Sequence, residues 1–389
     1  MSKKWLSAAA AAMVAANALA DVAPGADPTV LEAALIAPAN LAPGAAPAPS
    51  GLTVSGYLDG FYTHADRNLR TGFSDRVFDS RDDSLSLHKA GLQLADQPAE
   101  GFGGLLSVTA GAPALASYPY KGSGGRVDPT QAYAQYAGGP WTLLAGKFAT
   151  LMGSEVIAPP TNSNASASIL FGAIAFTHTG ARATYAPGAS WSLIAGLNNG
   201  WDQIKPAGAS QTAELGATYA PVKALNLALA DYVGRASAQV GGAASDSGPA
   251  GARNALDLLA SFCASDAIDF GAEYLKVRQG GFAGPAGTGP IVASYSGEAV
   301  YASALLAGQW RLALRAEDFD DPDGFHFGQA GTNYREATAT ASWLASGVLE
   351  LRAEVRADAA SRPVFTPSSG AMPDDRFLRT YALEALLKF

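Results

Sequence analysis

From Gly51 to Phe389, apolar side chains recur at every second position and not at the three- or four-residue spacing of a helix. Clear runs are Leu225–Ala230, Trp310–Arg315 and Leu349–Arg356, in which small, polar or charged residues take the alternate positions. Each run is about ten residues long, the length that a tilted strand needs to cross a bilayer. This alternation predicts an all-β chain, and we find no helical stretch that competes with it.

The strand pattern recurs along the whole of this region, with polar or glycine-rich segments between the runs. An even number of strands joined alternately by short turns and long loops is typical of a closed antiparallel up-and-down barrel in a membrane. We therefore expect a transmembrane β-barrel of about 16 strands, within a range of about 12–18. Long loops would be Arg67–Asp83, Ala236–Ala252 and Arg362–Arg376 on the outside, and tight turns Ala137–Pro140 and Ala186–Ser190 on the inside. The strands would begin near positions 52, 84, 102, 130, 140, 176, 190, 211, 224, 253, 266, 292, 308, 333, 347 and 379.

A soluble β-sandwich also alternates, so the second face of the strands decides between the two architectures. A sandwich needs a heavily charged outer face, whereas only 15% of this chain is charged and the second face is rich in Ala, Gly, Ser and Thr. A membrane barrel fits these two faces better, because its apolar face contacts lipid and its small, mildly polar face lines a water-filled lumen. Aromatic residues at strand ends, where membrane-interface girdles lie, also favour the barrel: Tyr185, Trp191, Tyr219, Trp343 and Phe389.

The composition excludes several other classes of protein. A hydrophobic fraction of 48% is too high for a disordered chain, and a mean hydropathy of +0.08 is too low for a helical membrane bundle. The net charge of −8 argues against nucleic acid as a partner. Cys263 is the single cysteine, so an internal disulfide is excluded, and no Cys/His cluster predicts a metal site.

The N-terminal residues have the pattern of an export signal. Two lysines precede an apolar core, Leu6–Ala16, and Ala18–Ala20 fits a cleavage site of small residues. Residues 1–20 are therefore predicted to be a signal peptide, residues 21–50 an Ala/Pro-rich linker and residues 51–389 the barrel. Export without cysteine pairs favours the periplasm or the outer membrane of a Gram-negative bacterium over a secreted fold held by disulfides, and the barrel prediction selects the outer membrane.

The chain ends on an aromatic residue, Phe389, and Tyr381 lies on the same face of the last predicted strand. This ending resembles the terminal strand of outer-membrane β-barrel proteins, which the barrel-insertion machinery captures by edge pairing. We interpret the two residues as an assembly signal. The alternative is that Phe389 only closes a hydrophobic face.

The middle of the chain carries a block of motifs that resembles one known family. The block consists of Gln131–Tyr133, Ala145–Thr150, Gly153, Glu155, Pro160–Asn164, Ser166, Ser168, Phe171–Gly172, Phe176–Gly180, Arg182 and Asn198–Asp202. It is similar to the OmpL-like β-barrel porin family (β-barrel porin-2), whose first strand is matched here by Gly56–Gly60. The resemblance is close over residues 52–202. It implies an outer-membrane, pore-forming barrel and does not identify a solute.

Segment Ile157–Phe171 is long and polar and lies between two predicted strands. Folded into the lumen, its hydroxyl and amide groups could replace water around a solute and form a constriction. The alternative is an exposed loop whose Ser and Asn side chains bond to their own backbone. The candidate residues are Asn162, Ser163, Asn164 and Ser166 within the segment, Glu155 near its start, and Lys147 and Arg182 beside it.

Charged residues on the lumen faces of the late strands form a second group of candidates. Opposed rows of bases and acids would create a transverse field that orients polar solutes. The alternative is that these charges pair with one another and only satisfy the wall. The residues are Arg311, Arg315, Arg352 and Arg356, with Glu350, Glu354 and Glu317 beside them and Asp269 and Glu273 two strands earlier.

Taken together, these features predict an outer-membrane porin with a water-filled channel for the passive diffusion of small hydrophilic solutes or ions. A substrate-specific channel and a structural or adhesive barrel with a closed lumen are the alternatives. A barrel lipase is disfavoured, because no nucleophile motif surrounds His178, and we expect neither enzyme activity nor a cofactor. The expected partners are outer-membrane lipid, the barrel-insertion machinery and the solutes, and a homotrimer is compatible with the sequence.

Overall fold

The computed structural model describes most of the region that follows residue 50. The described residues are 51–67, 69, 73, 75–78, 83, 85–111, 127–205, 211–236, 239–240, 243–244, 251–283, 289–366 and 372–389. The predicted signal peptide and the Ala/Pro-rich linker lie outside these residues. Among the described residues, no helix is both long and apolar enough to cross a membrane.

Strands make up nearly all of the regular structure. They are β1 (Thr53–Ala65), β2 (Ser86–Asp96), β3 (Gly101–Ala110), β4 (Val127–Gly138), β5 (Trp141–Ala149), β6 (Thr177–Tyr185), β7 (Trp191–Asn198), β8 (Thr212–Val222) and β9 (Leu225–Ala236). They continue as β10 (Gln239–Val240), β11 (Ala243–Ala244), β12 (Gly251–Ser265), β13 (Ile268–Ala283), β14 (Pro290–Leu306), β15 (Trp310–Asp321), β16 (Thr332–Leu344), β17 (Leu349–Ala360) and β18 (Phe377–Lys388). A 3₁₀ turn (Pro159–Thr161) and the short helix α1 (Ile169–Gly172) lie between β5 and β6.

Sixteen of these strands close into one antiparallel barrel. Each barrel strand pairs with the next one along the chain, β9 pairs with β12, and β18 closes the ring on β1. β10 and β11 form a separate two-stranded hairpin between β9 and β12. The predicted closed barrel is confirmed, and every predicted first residue of a strand falls within three positions of the observed one.

Backbone hydrogen bonds join the first strand of the barrel to the very end of the chain. The pairing of β1 with β18 ends at Ala65 opposite Thr380. At the other end of this seam Gly56 N donates to Phe389 O over 2.8 Å, and Phe389 N donates to Gly56 O over 3.0 Å. A Cβ at position 56 would lie only 2.5 Å from Cζ of Phe389, so glycine leaves room for the ring against the strand.

Deleting Phe389 is expected to lower the amount of assembled barrel severalfold, because the last strand loses both bonds to Gly56 and the ring packed there. The matched control is Phe389→Tyr, which keeps the ring and both backbone bonds and should assemble normally. The measurement is the amount of heat-modifiable barrel in isolated outer membranes. Normal levels of the truncated chain would contradict a role for Phe389 in assembly.

The two faces of each strand differ as the alternation predicts. On β17, Glu350, Arg352, Glu354 and Arg356 are buried inside the barrel, whereas Ala353 between them is exposed on the outer wall. The outer wall carries many exposed apolar side chains, and aromatic side chains cluster where the short turns lie, as a membrane-interface girdle requires. The ring pairs there are Trp141 with Tyr185, Tyr185 with Trp191, and Trp310 with Trp343.

Connection length separates the two ends of the barrel. Short turns join strands at the end that holds the start of β1 and the end of β18, and the predicted turns Ala137–Pro140 and Ala186–Ser190 lie there. The predicted long segments Arg67–Asp83, Ala236–Ala252 and Arg362–Arg376 fall at the opposite end, and only parts of them are described. The lumen is therefore entered past long loops at one end and past short turns at the other.

Candidate functional site

The segment between β5 and β6, Thr150–Phe176, folds back into the barrel, and we call it the inner loop. Thr150 N donates to Phe176 O over 3.1 Å, which brings the two ends of the loop together. Its apolar side chains pack against inward side chains of the wall, so a buried apolar cluster lies inside the barrel. The cluster includes Leu151, Met152, Ile169, Leu170, Phe171 and Ile174 from the loop and Tyr232, Tyr295 and Phe319 from the wall.

Tyr232 on β9 fixes the start of the inner loop. Its hydroxyl accepts a hydrogen bond of 2.9 Å from Leu151 N, and its ring stacks on His178 with 4.5 Å between the centroids. His178 is buried, with Nδ1 3.1 Å from Gly200 O and Nε2 3.4 Å from Thr150 Oγ1. The histidine thus contacts the backbone and a threonine at the base of the loop.

Wall carboxylates accept hydrogen bonds from the backbone of the inner loop. Asp257 on β12 accepts from Gly153 N over 2.7 Å, and Glu273 on β13 accepts from Ser154 N over 3.0 Å. Backbone N–H groups taken out of water need a hydrogen-bond partner. These two acids therefore hold the descending part of the loop against the wall.

Two further acids hold the returning part of the loop. Glu317 on β15 accepts bonds of 2.9 Å from the first two N–H groups of α1. Ser168 caps the same helix, since its Oγ accepts from Phe171 N over 2.9 Å. The N–H groups of a first helical turn have no partner within the helix, so these contacts satisfy them. Glu354 on β17 accepts in the same way from Ala165 N (2.7 Å) and Ser166 N (3.1 Å).

Three buried arginines of β15 and β17 donate to backbone carbonyls of the inner loop. With the four carboxylates, they attach the loop to the wall through both its donors and its acceptors. The inner loop therefore covers the inner face of β12–β17. The pairs are Arg315 with Ser166 O (2.7 Å), Arg356 with Ala167 O (2.5 Å), and Arg352 with Pro159 O (3.3 Å) and Asn164 O (3.4 Å).

Most of the predicted lumen charges form ion pairs, within one strand, between neighbouring strands or with the inner loop. Arg315 is the centre of the network, 2.6 Å from Glu155 of the inner loop, 2.9 Å from Glu336 and 3.4 Å from Glu317. Bases and acids thus alternate along one wall, and a transverse field across the lumen stays a prediction. The other pairs are Arg352 with Glu350 (2.7 Å) and Glu384 (3.0 Å), Arg356 with Asp358 (2.8 Å), and Arg311 with Glu350 (3.6 Å).

All four polar residues predicted at a constriction lie in the inner loop. Asn162 bonds to its own loop: its Oδ1 accepts from Val156 N over 3.0 Å, and its Nδ2 donates to Val156 O over 2.8 Å. Asn164 donates over 2.8 Å to a threonine hydroxyl of β16. Ser166 is buried under the arginines, and Ser163 is half-buried near the tip. Contact of these residues with a solute stays a prediction.

Lys147 and Arg182 lie on β5 and β6, beside the base of the inner loop. Lys147 Nζ donates to Asp128 over 3.0 Å. Arg182 Nε donates to Glu214 over 2.6 Å, and its guanidinium lies 4.2 Å from the centre of the Phe148 ring. Both predicted cations are therefore buried and paired with an acid. They lie on the wall across the barrel from the arginines of β15 and β17.

A second segment enters the barrel, and its prediction as part of an outside loop is wrong for the described residues. Residues Asp75–Phe78, which we call the entry segment, lie between β1 and β2 and pack on the inner loop and on β17 and β18. Two apolar residues within a polar stretch, Val77 and Phe78, were the available signal for this position. The contacts are Arg76 with Asp358 (2.6 Å) and Thr380 (2.8 Å), and the Phe78 ring with Phe171 (6.1 Å) and Phe176 (5.4 Å between centroids).

Lys89 on β2 joins the two inserted segments. Its Nζ donates to Ile157 O of the inner loop over 3.0 Å and lies 3.8 Å from the centre of the Phe78 ring. No motif or pattern in the sequence distinguishes Lys89, Asp257 or Glu336 from other inward residues. Alternation assigns a residue to a face of the wall, but it does not say which inward residue reaches a loop.

Asp75 of the entry segment faces both charged and titratable groups. Burial raises the pKa of its carboxyl to about 7, and Asp358 adds to the rise, while Arg356 and Arg76 oppose it. Tyr334 on β16 is the other titratable neighbour. The carboxyl of Asp75 binds its proton more tightly when the segment is inserted than when it is exposed to water. The free energy that favours insertion therefore falls as pH rises from about 4 to about 7, and it does not change further above pH 7.

Amide exchange of a peptide that covers the entry segment is expected to report this titration. Once corrected for intrinsic rates, exchange should speed up by as much as about tenfold for each pH unit between 5 and 7. Asp75→Asn should abolish the dependence, because an amide does not titrate. The same pH dependence in the Asp75→Asn variant would assign the effect to other lumen acids.

The sequence family described as "Putative beta-barrel porin-2, OmpL-like" matches residues 51–389, which is the whole region that contains the barrel. The chain belongs to this family. It is an outer-membrane porin, and its barrel is a channel rather than an enzyme. No curated protein matches the porin in sequence.

Solved structures share the fold of the porin at low sequence identity. The outer membrane channel DcaP of Acinetobacter baumannii is 14% identical, with a TM-score of 0.60 over 87% of this chain and 97% of that one. The anion-selective porin from Comamonas acidovorans is 9% identical, with a TM-score of 0.61 over 88% and 100%. The trimer form of OmpT from Vibrio cholerae is 11% identical, with a TM-score of 0.54 over 87% and 99%.

Proposed function

We propose that the porin is a narrow channel through which small hydrophilic solutes and ions diffuse passively past the inner loop. The observation that carries this proposal is the attachment of the inner loop to the wall by buried carboxylates and arginines. A loop bonded along β12, β13, β15 and β17 fills that side of the lumen and leaves the path along the facing wall, β3–β8.

The proposed path runs between the tip of the inner loop, residues 156–163, and the inward side chains of β3–β8. Within the tip, Thr161 is exposed, and Asn162 and Ser163 are half-buried. On the facing wall, Lys147 and Arg182 are each paired with an acid, so their fields largely cancel. The chain as a whole carries 34 acids against 26 bases. We therefore expect a weak preference for cations.

A barrel closed by its loops is the second candidate function. It is favoured by the apolar contacts of Phe78 with Phe171 and Phe176, which fill part of the lumen at the long-loop end. A substrate-specific channel would use the same constriction but would admit one solute in preference to others.

Single-channel recording of the refolded mature protein in a planar bilayer, under a salt gradient, tests the proposal. Small, stable, ohmic steps with a reversal potential weakly in favour of cations are the expected result. The control is the same protein denatured in urea before addition to the bilayer. A folded barrel without steps would reject the open channel in favour of the closed barrel, and saturation of the current by one solute would identify a substrate-specific channel.

Export and assembly are separate proposals. Removal of residues 1–20 predicts that protein from outer membranes begins at Asp21, which N-terminal sequencing measures. Assembly as a homotrimer predicts three times the chain mass for the protein extracted in mild detergent. An intact N-terminus or the mass of a single chain would reject the corresponding proposal.

A further inference from the structure

A groove of about 560 Å³ runs over β8, β9, β12 and β13 on the outer wall, the face turned to the membrane. Two small side chains, which pair across β12 and β13, leave this space between larger neighbours. The lining is almost wholly apolar, as a hydrocarbon chain requires. The small residues are Ala260 and Ala272, and the larger ones at the border are Leu227, Leu229, Leu258 and Tyr274.

Three exposed basic side chains stand on the same face, toward the long-loop end of the barrel. They are Arg235 on β9 and Lys276 and Arg278 on β13. Within the described part of the chain, none of these side chains makes a hydrogen bond or an ion pair. Tyr274 precedes Lys276 by two positions, so the two cations of β13 lie about 7 Å and about 13 Å along the strand from the border of the groove.

Two acids near these cations form no ion pair with them. One is hydrogen-bonded to a neighbouring side chain, and the other lies on the adjacent strand at the edge of the groove. Asp231 on β9 accepts a hydrogen bond of 2.6 Å from Asn254. Glu298 on β14 is paired with Tyr274, at the edge of the groove, and forms no ion pair with Lys276. The three cations between the groove and the long-loop end are therefore able to bind an anion from outside the chain.

We propose that this face is a binding site for a phosphorylated lipid of the outer leaflet. One acyl chain lies in the groove, and the phosphate meets Lys276 and Arg278, with Arg235 beside them. Charge complementarity favours this occupant over a neutral lipid, which would leave three cations unpaired. The separation of about 7–13 Å between groove and cations matches the first part of an acyl chain below its headgroup.

Titration of the folded, delipidated porin in a neutral detergent tests the site by native mass spectrometry. The probes are mixed micelles that contain either diphosphorylated lipid A or phosphatidylcholine, and inorganic phosphate serves as the competitor. We expect one lipid A per barrel with at least about tenfold lower Kd than phosphatidylcholine, and no displacement by phosphate. Lys276→Gln combined with Arg278→Gln should weaken lipid A binding by about fivefold for each charge removed.

Three further variants separate the parts of the proposed site. Arg379→Gln removes an exposed base from the outer face of β18 at the same end of the barrel and should leave binding unchanged. Glu298→Gln should strengthen lipid A binding by about twofold, because it removes an acid beside the site. Ala272→Phe fills the groove and should weaken both lipids alike. Outward side chains of the wall are not part of its core, so these variants should fold.

Equal affinity for the two lipids, or an unchanged lipid A affinity in the Lys276/Arg278 double variant, would overturn the proposal. Full displacement by inorganic phosphate would show a simple anion site instead of a lipid site. A change of oligomeric mass in Ala272→Phe without any loss of lipid A would assign the groove to a second copy of the chain.

Discussion

Replacing Arg315 by methionine is expected to release part of the inner loop and to raise the single-channel conductance about twofold or more. The Arg315 side chain is fully buried and binds Glu155, Glu317 and Glu336, besides the Ser166 carbonyl. Removing one partner of a buried ion pair costs about 3–5 kcal/mol, because the remaining charges stay out of water. Here three carboxylates would lose their shared cation, and hydration through movement of the loop is the available relief.

The matched control is Arg335→Gln, which removes an exposed arginine from the neighbouring β16. Its ion pair with Asp318 is on the surface, where such pairs contribute about 0–1 kcal/mol, so the conductance should not change. Combining Arg315→Met with Glu155→Gln and Glu336→Gln removes two of the three stranded charges and should return the conductance part of the way toward that of the parent. The ion preference of Arg315→Met should also shift toward cations. Unchanged conductance in a folded Arg315→Met barrel would mean that Arg315 does not hold the loop.

The wall of the barrel could be predicted from the sequence because each strand carries its own signal. Alternation over about ten residues is a local property, and it places Arg315 and Arg352 on the lumen face without any knowledge of the other strands. Glycine-rich and polar segments between the runs then give the turns. Closure follows from the chemistry of a membrane, which leaves no place for an unpaired strand edge.

The inner loop could be predicted as a segment, but its path could not. Its contacts join residues far apart in the chain, such as Glu155 with Arg315 and Pro159 with Arg352. No sequence periodicity connects such residues. Each bond to the wall depends on which inward side chain lies, along the barrel axis, at the level of the loop atom that it contacts. For the same reason no sequence pattern assigns Asp257 or Lys89 a role or predicts that the entry segment lies inside the barrel.

Removing the inner loop itself is expected to give the larger effect, about a threefold or greater rise in conductance. The deletion would run from Ser154 to Ala173, with two glycines in its place. The ends can be joined, because a Cβ on Gly153 would lie 2.5 Å from the Cδ1 of Ile174. The wall should survive, since the strands pair with one another and not with the loop. The arginines and acids left behind can be hydrated in the wider lumen.

Conductance and the uptake of sugars of increasing size by proteoliposomes measure the effect of this deletion together. A constriction formed by the inner loop predicts that both the conductance and the largest sugar admitted increase. Thr161→Ser, at the exposed tip, keeps every anchor of the loop and serves as the control with unchanged values. If the deletion variant folds and conducts as the parent does, the narrowest point lies elsewhere. The entry segment, which Arg76 fastens to β17 and β18, would then be the part of the lumen that limits flow.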